Sequence, residues 1–189
     1  MKKFELTSET KINIFGKKLF RIKALISFGN VEAGKTGGWV EKEENVNQSG
    51  NAWVFDNAEV FGNARVSGNA EVSGNARVSG NARVFGNARV FGNARVSGNA
   101  RVSGNAWVSG NAWVSGNADY ATIHGFGTQF RTTTFFRCKD KQVKVSCGCF
   151  YGTIPEFREQ VKNTRKGKIA EEYLMIADLM EKHFAEEAK

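Results

Sequence analysis

The chain has 189 residues, 41% of them hydrophobic, which allows one domain or a small assembly of modules. Its formal net charge of +8 admits an anionic partner, but the excess is spread along the chain with no basic tail, and so diffuse a field is screened beyond about 10 Å in ordinary salt. No stretch approaches the run of about 18 apolar residues that a membrane span needs, and the Met1–Ser8 start lacks the apolar core of a signal peptide. The expectation is a soluble, cytoplasmic protein.

Residues 1–45 read as a small β cap. Lys3–Thr7 and Lys11–Leu25 are predicted strands: Ile12 and Ile14 alternate with polar neighbours, as do Phe20, Ile22 and Ala24, and Gly16-Lys17 supplies a turn. Gly29-Asn-Val-Glu-Ala-Gly34-Lys35-Thr36 satisfies the phosphate-loop pattern G-x-x-x-x-G-K-[ST]. In a working phosphate loop a helix begins at the lysine and threonine, with its free amides on the phosphates. Here Gly37-Gly38-Trp39 follows, and two glycines oppose a helix by about 1 kcal/mol each relative to alanine. The segment is therefore expected to be a turn leading into the next module.

From residue 46 to about 123 a six-residue unit, Gly-Asn-Ala-X-Val-Ser/Phe, dominates. Valine recurs every six residues from Val54 to Val114, each with an alanine two places before it. Alternation puts Ala and Val on one face and X on the other. Gly-Asn forms the corner, because both residues tolerate the left-handed backbone that a tight bend requires. Read from valine, the unit resembles the hexapeptide repeat of left-handed parallel β-helix proteins, the superfamily of UDP-N-acetylglucosamine acyltransferase and its relatives. The resemblance covers residues 50–118. It implies a mainly β fold, a left-handed parallel β-helix of about four 18-residue coils, and a tendency to form homo-oligomers, trimers above all.

An 18-residue register sorts the X residues into three columns: Trp53, Glu71, Arg89, Trp107; Glu59, Arg77, Arg95, Trp113; and Arg65, Arg83, Arg101, Asp119. The third stacks three arginines without an acid between them. Guanidinium groups match phosphate oxygens with paired hydrogen bonds, so Arg65, Arg83 and Arg101 are the ligand-binding candidates, for an anionic small molecule such as a nucleotide or for nucleic acid. Trp53, Phe55, Phe61, Trp107 and Trp113 lie where end modules can cover them, whereas Phe85 and Phe91 lie mid-solenoid and are read as a subunit interface.

Residues 124–189 read as an α+β module. Strands are predicted over Thr132–Arg137 and Gln142–Phe150, with Val143, Val145, Cys147 and Cys149 on one face. A helix opens at the capping box Thr153-Ile-Pro-Glu156, and a second spans about 168–185 with Ile169, Tyr173, Ile176, Ala177, Met180 and Phe184 on its apolar stripe. The three cysteines, Cys138, Cys147 and Cys149, are odd in number and fit a reducing compartment better than a disulfide framework. With His183 they match no zinc spacing, so no metal and no cofactor are expected.

The segments Gly38–Asn45 and Cys147–Phe157 together resemble uncharacterised proteins encoded by phages and prophages, which implies a mobile-element origin. Acyltransferases of the hexapeptide superfamily use a histidine general base, usually with a loop protruding from the coils. No loop interrupts these hexads, and His124, just past them, is the residue such a reaction would use. The leading expectation is a non-enzymatic oligomeric solenoid that binds an anion, for instance one that sequesters a host nucleotide signal. An acyltransferase and a ligand-free self-associating scaffold are the alternatives.

Overall fold

The computed structural model describes residues 2–185. Strands β1 (Phe4–Ile12) and β2 (Lys18–Ala24) form an antiparallel hairpin. Strand β3 (Thr36–Val40) pairs antiparallel with β2 on one edge and parallel with the solenoid on the other, setting Trp39 opposite Glu59 and Val40 opposite Val60. The cap is thus continuous with the first coil. Val46, opposite Val66, belongs to that coil as well. Periodicity hides this start because Val40 and Val46 stand 20 residues from their partners, whereas Val54 and Val72 stand 18 apart. Glycine is required at 37 and 38 for packing: a Cβ would lie 2.6 Å from the Trp53 ring at Gly37 and 2.5 Å from a Val54 methyl at Gly38.

Two-residue strands follow every six residues, from β4 (Trp53–Val54) to β14 (Trp113–Val114), and build a parallel β-solenoid with three sheets. Each register alanine from Ala52 to Ala112 and each valine from Val54 to Val114 is at most 1% exposed, so the two small residue types fill the interior between them. At the corners the glycines are left-handed and stack on one another; Gly86, with φ 70°, would place a Cβ 3.1 Å from the amide nitrogen of Gly104. Beside them the asparagines form ladders, with Asn51, Asn69, Asn87 and Asn105 joined amide to carbonyl at 3.0–3.1 Å.

One recurring set of inter-coil bonds runs from the N–H of one coil to the C=O of the next, as in Arg65 N to Ala82 O (3.0 Å) and Arg83 N to Ala100 O (2.9 Å), and within the parallel strand pairs each coil also accepts from the next. Each end coil therefore leaves backbone N–H and C=O groups that have no further coil to pair with and cannot be buried without partners. Lys3 serves the first end: its Nζ donates to Ala52 O (2.9 Å) and Gly50 O (3.3 Å) from a site only 2% exposed. At the other end Asn117 Oδ1 takes Arg101 N (2.9 Å), Thr134 Oγ1 takes Trp107 N (3.0 Å), and the Tyr120 hydroxyl donates to Arg101 O.

The last coil ends in a 3-10 turn at Asn117–Asp119. Strands β15 (Tyr120–Phe126), β16 (Arg131–Arg137), β17 (Val143–Cys147) and β18 (Phe150–Thr153) form an antiparallel sheet backed by helices α1 (Ile154–Thr164) and α2 (Gly167–Phe184). The expected strands and helices of this module are present, but β15 replaces the tail of the solenoid expected up to residue 123. Strand β16 joins two cores: Phe136 closes the solenoid interior, while Phe135 faces the helices with Val145, Phe157 and Ile176. Cys149 does not share the face of Val145. It sits exposed with Gly148 in the two-residue turn between β17 and β18, because Cys147 pairs with Phe150. Among the described residues no helix is long and apolar enough to cross a membrane.

Two outcomes follow. Gly86→Ala adds a left-handed penalty of about 1–2 kcal/mol and forces a corner against Gly104, so urea denaturation should show a clear loss of stability, whereas Ser103→Ala should sit within about 0.5 kcal/mol of wild type. Burial lowers the Lys3 ammonium from 10.5 to about 8. Between these values the unfolded chain carries the extra proton, so the Lys3 contribution makes stability rise with pH through that window. The stability difference between wild type and Lys3→Met, measured from pH 7 to 11, should shift in favour of wild type as pH rises.

Candidate functional site

With Ala and Val turned inward, the X residues carry the outward chemistry of the solenoid. Strand pairing sets the columns. One sheet aligns Trp53, Glu71, Arg89 and Trp107; another aligns Trp39, Glu59, Arg77, Arg95 and Trp113; the third aligns Arg65, Arg83 and Arg101. Asp119 does not continue the third column. Its carboxylate folds back to accept from the Ser115 hydroxyl (2.7 Å), Ser115 N (2.8 Å) and Gly116 N (2.9 Å), and it lies 3.7 Å from Arg137 Nε. Burial would raise its pKa, but those donors and Arg137 hold it below the ordinary carboxylate value. The arginine column is thereby left without the acid expected at its end.

The columns differ in how their cations are balanced. Glu59, with a side chain 9% exposed, takes Lys11 at 2.8 Å and Arg77 at 3.4 Å. Arg89 lies 3.4 Å from Glu71, and its guanidinium lies 5.7 Å from the centre of the Trp107 ring. Arg95 stands 5.7 Å from the Trp113 ring. Arg65, Arg83 and Arg101 have neither kind of partner: among the described residues no carboxylate lies within 4.0 Å of their guanidinium groups and no ring lies beneath them. All three are exposed and line a shallow groove of about 500 Å³.

Phe85 lines the same groove, half-buried beside Arg83, with Glu44 and Asn47 at the end nearest the first coil. Phe91 belongs to the neighbouring sheet, where its ring meets Trp107 edge-on at 6.2 Å. The two phenylalanines expected at one interface thus follow strands of different sheets. Sequence reasoning missed Glu44 and Asn47, since they precede the strict hexads, and missed Phe85 as a groove residue, although its place two residues after Arg83 was a signal for it.

The other candidates are dispersed. His124 lies exposed on β15 with Nδ1 3.2 Å from Thr132 Oγ1, and among the described residues no carboxylate orients its ring. In the phosphate-loop-like segment, Phe28 and Val31 exchange backbone hydrogen bonds of 2.8 and 2.9 Å around a tight turn, and Thr36 opens a strand where a phosphate-binding loop needs a helix. Cys138 is buried at the end of the solenoid, with its thiol raised to about 11 first of all by that burial. Among the described residues no three His, Cys, Asp or Glu side chains converge as metal ligands. Trp107 and Trp113, expected under the C-terminal module, remain 38% and 41% exposed, because β16 closes the open end with Phe136 and leaves the outer faces uncovered.

The family model for the YdcK beta solenoid repeat matches residues 70–84, 82–98, 88–103 and 94–110. No curated protein matches the chain. The matched residues include Arg83 and Arg101 together with the alanines, valines and corner glycines that build the coils.

Because the arginines differ in their surroundings, their replacement should divide cleanly. Arg77→Gln leaves the buried Glu59 with one cation fewer and should cost about 1–3 kcal/mol, whereas Arg83→Gln removes a like charge from between two others and should leave thermal stability unchanged or raise it slightly in low salt. Melting curves of the two variants at low and high ionic strength test this contrast.

Proposed function

We propose that this protein is a non-catalytic binding solenoid that holds a phosphate-bearing anion in the groove of Arg65, Arg83 and Arg101. The observation that carries this reading is the asymmetry among the columns, since the other solenoid arginines are matched by a carboxylate or an aromatic ring and these three are not. Coil stacking spaces their backbones about 4.8 Å apart. In water such like charges repel by something under about 1 kcal/mol per neighbouring pair, a cost that an anion along the column converts into attraction. Paired guanidinium–phosphate hydrogen bonds supply direction, and the half-buried Phe85 ring beside them offers a surface for an apolar or planar part of the ligand.

Tripolyphosphate, with several anionic groups in a row, is a suitable probe of the ladder. Calorimetry should detect binding that weakens steeply with salt, and replacing Arg65, Arg83 and Arg101 together by glutamine should abolish it while the circular dichroism spectrum and melting temperature stay near wild type. Binding that survives the triple replacement would overturn the reading. Mass spectrometry of small molecules that co-purify with the wild-type chain and not with the triple variant would identify the natural anion.

A further inference from the structure

A second cleft lies at the other end of the solenoid, where the last coil meets the C-terminal sheet. It measures about 750 Å³ and is lined by Asn105 and Trp107 from the solenoid and by His124, Phe130, Arg131 and Cys149 from the sheet, among others. That size lies in the range of small-molecule sites, about 300–1,000 Å³. Two aromatic rings reach solvent here: Trp107 is 38% and Phe130 is 65% exposed. Phe130 is held in the left-handed backbone region, with φ 47°, in the loop between β15 and β16. A bulky side chain in that region is strained, and such strain is found where a side chain is kept in place for binding.

No Asp or Glu among the described residues lines the cleft. Among the described residues the Arg131 guanidinium has no carboxylate within 4.0 Å, and its side chain crosses Gly148 beside the cleft. His124 is tethered to Thr132 through Nδ1 and contributes its ring to the lining. Asn105 contributes a donor by virtue of the ladder. Each asparagine amide donates to the next side-chain carbonyl, Asn87 Nδ2 to Asn105 Oδ1 at 3.1 Å, and the ladder stops there, the Asn105 amide having no acceptor among the described residues. An amide donor, a guanidinium without a carboxylate and two exposed rings match a planar heterocycle with carbonyl or ring-nitrogen acceptors and an attached anion.

We propose that this cleft binds a nucleoside monophosphate unit, with its base against Trp107 and Phe130 and hydrogen-bonded by Asn105, and its phosphate on Arg131. Base–aromatic stacking tolerates any base, so the site selects for a base joined to a phosphate. This site is separate from the Arg65–Arg83–Arg101 groove and does not depend on it.

Tryptophan fluorescence of the full chain, with Trp107→Phe to assign the signal, tests the proposal against AMP, GMP, CMP and UMP. At least one should quench Trp107 saturably, while the matching nucleoside and ribose 5-phosphate bind about tenfold more weakly or worse. Phe130→Ser and Arg131→Gln should each weaken binding by about fivefold or more, with unchanged circular dichroism, and the Arg65/Arg83/Arg101 triple variant should bind as wild type. An oligothymidylate titrated alongside separates the sources, since tighter binding of the strand assigns the unit to a single-stranded nucleic acid and tighter binding of a mononucleotide assigns it to a free one. The proposal is overturned if none of the four mononucleotides binds, if Phe130→Ser and Arg131→Gln bind them as wild type does, or if the triple arginine variant loses them.

Discussion

The structure depends on the hydrogen-bond ladder between parallel coils. Bonds such as those of Arg65 N to Ala82 O and Arg83 N to Ala100 O repeat from coil to coil along each sheet. Such a stack is saturated inside and unsaturated at both ends. The end modules must supply the missing partners, and the chain places the Lys3 ammonium on Ala52 O at the first end and the Asn117, Thr134 and Asp119 oxygens together with the Tyr120 hydroxyl at the last. The end modules are thus each fitted to the backbone groups that their own end of the ladder exposes. They also remove the exposed strand edges that would recruit another chain.

The same stacking turns a sequence interval into a surface. Residues 18 apart become neighbours, so a choice made once per coil is amplified into a column. Where the column alternates in sign, as Glu59 and Arg77 do, the outward surface reinforces the fold. Where it repeats one sign, as in Arg65, Arg83 and Arg101, the surface does nothing for the fold and remains available to a ligand. Corners follow a parallel logic. Glycine stacks on glycine, and Asp56, which takes the glycine position with φ 52°, offsets its strain with a carboxylate that accepts from Gly74 N at 3.1 Å. That departure sits at the first regular coil, where Arg21 of the cap also donates to Asp56 O.

The coils and columns were legible in the sequence because their determinants are local and repeated: an inward Ala and Val, a left-handed Gly, and a fixed interval. Features that depend on a single contact were not. Asp119 holds the right interval to extend the arginine column, yet Ser115 and Gly116 capture its carboxylate, and no periodicity reports a turn. The first coil was hidden by the eight-residue interval from Val46 to Val54, although Trp39-Val40 already shows the X-Val pair. Cys149 reads as a strand residue by alternation, but Gly148 with φ 61° turns the chain before it. Phe130 and Arg131 carried no pattern at all. Their meeting with Trp107 is a product of how β15 and β16 close the last coil.

Stability and recognition are therefore written in different registers of the same hexad. The inward pair is fully buried and intolerant of change, while the X residue of the arginine sheet touches nothing that the coil needs. A surface of this kind can change its ligand without changing its fold, which is why a repeat match across residues 70–110 identifies the coils and leaves the chemistry of Arg65, Arg83 and Arg101 to be read residue by residue. The exposed Trp107 follows the same rule at a different place. An X residue in the last coil has no coil above it to pack against, so an aromatic there must meet either the end module or solvent, and the geometry of β16 leaves it facing both.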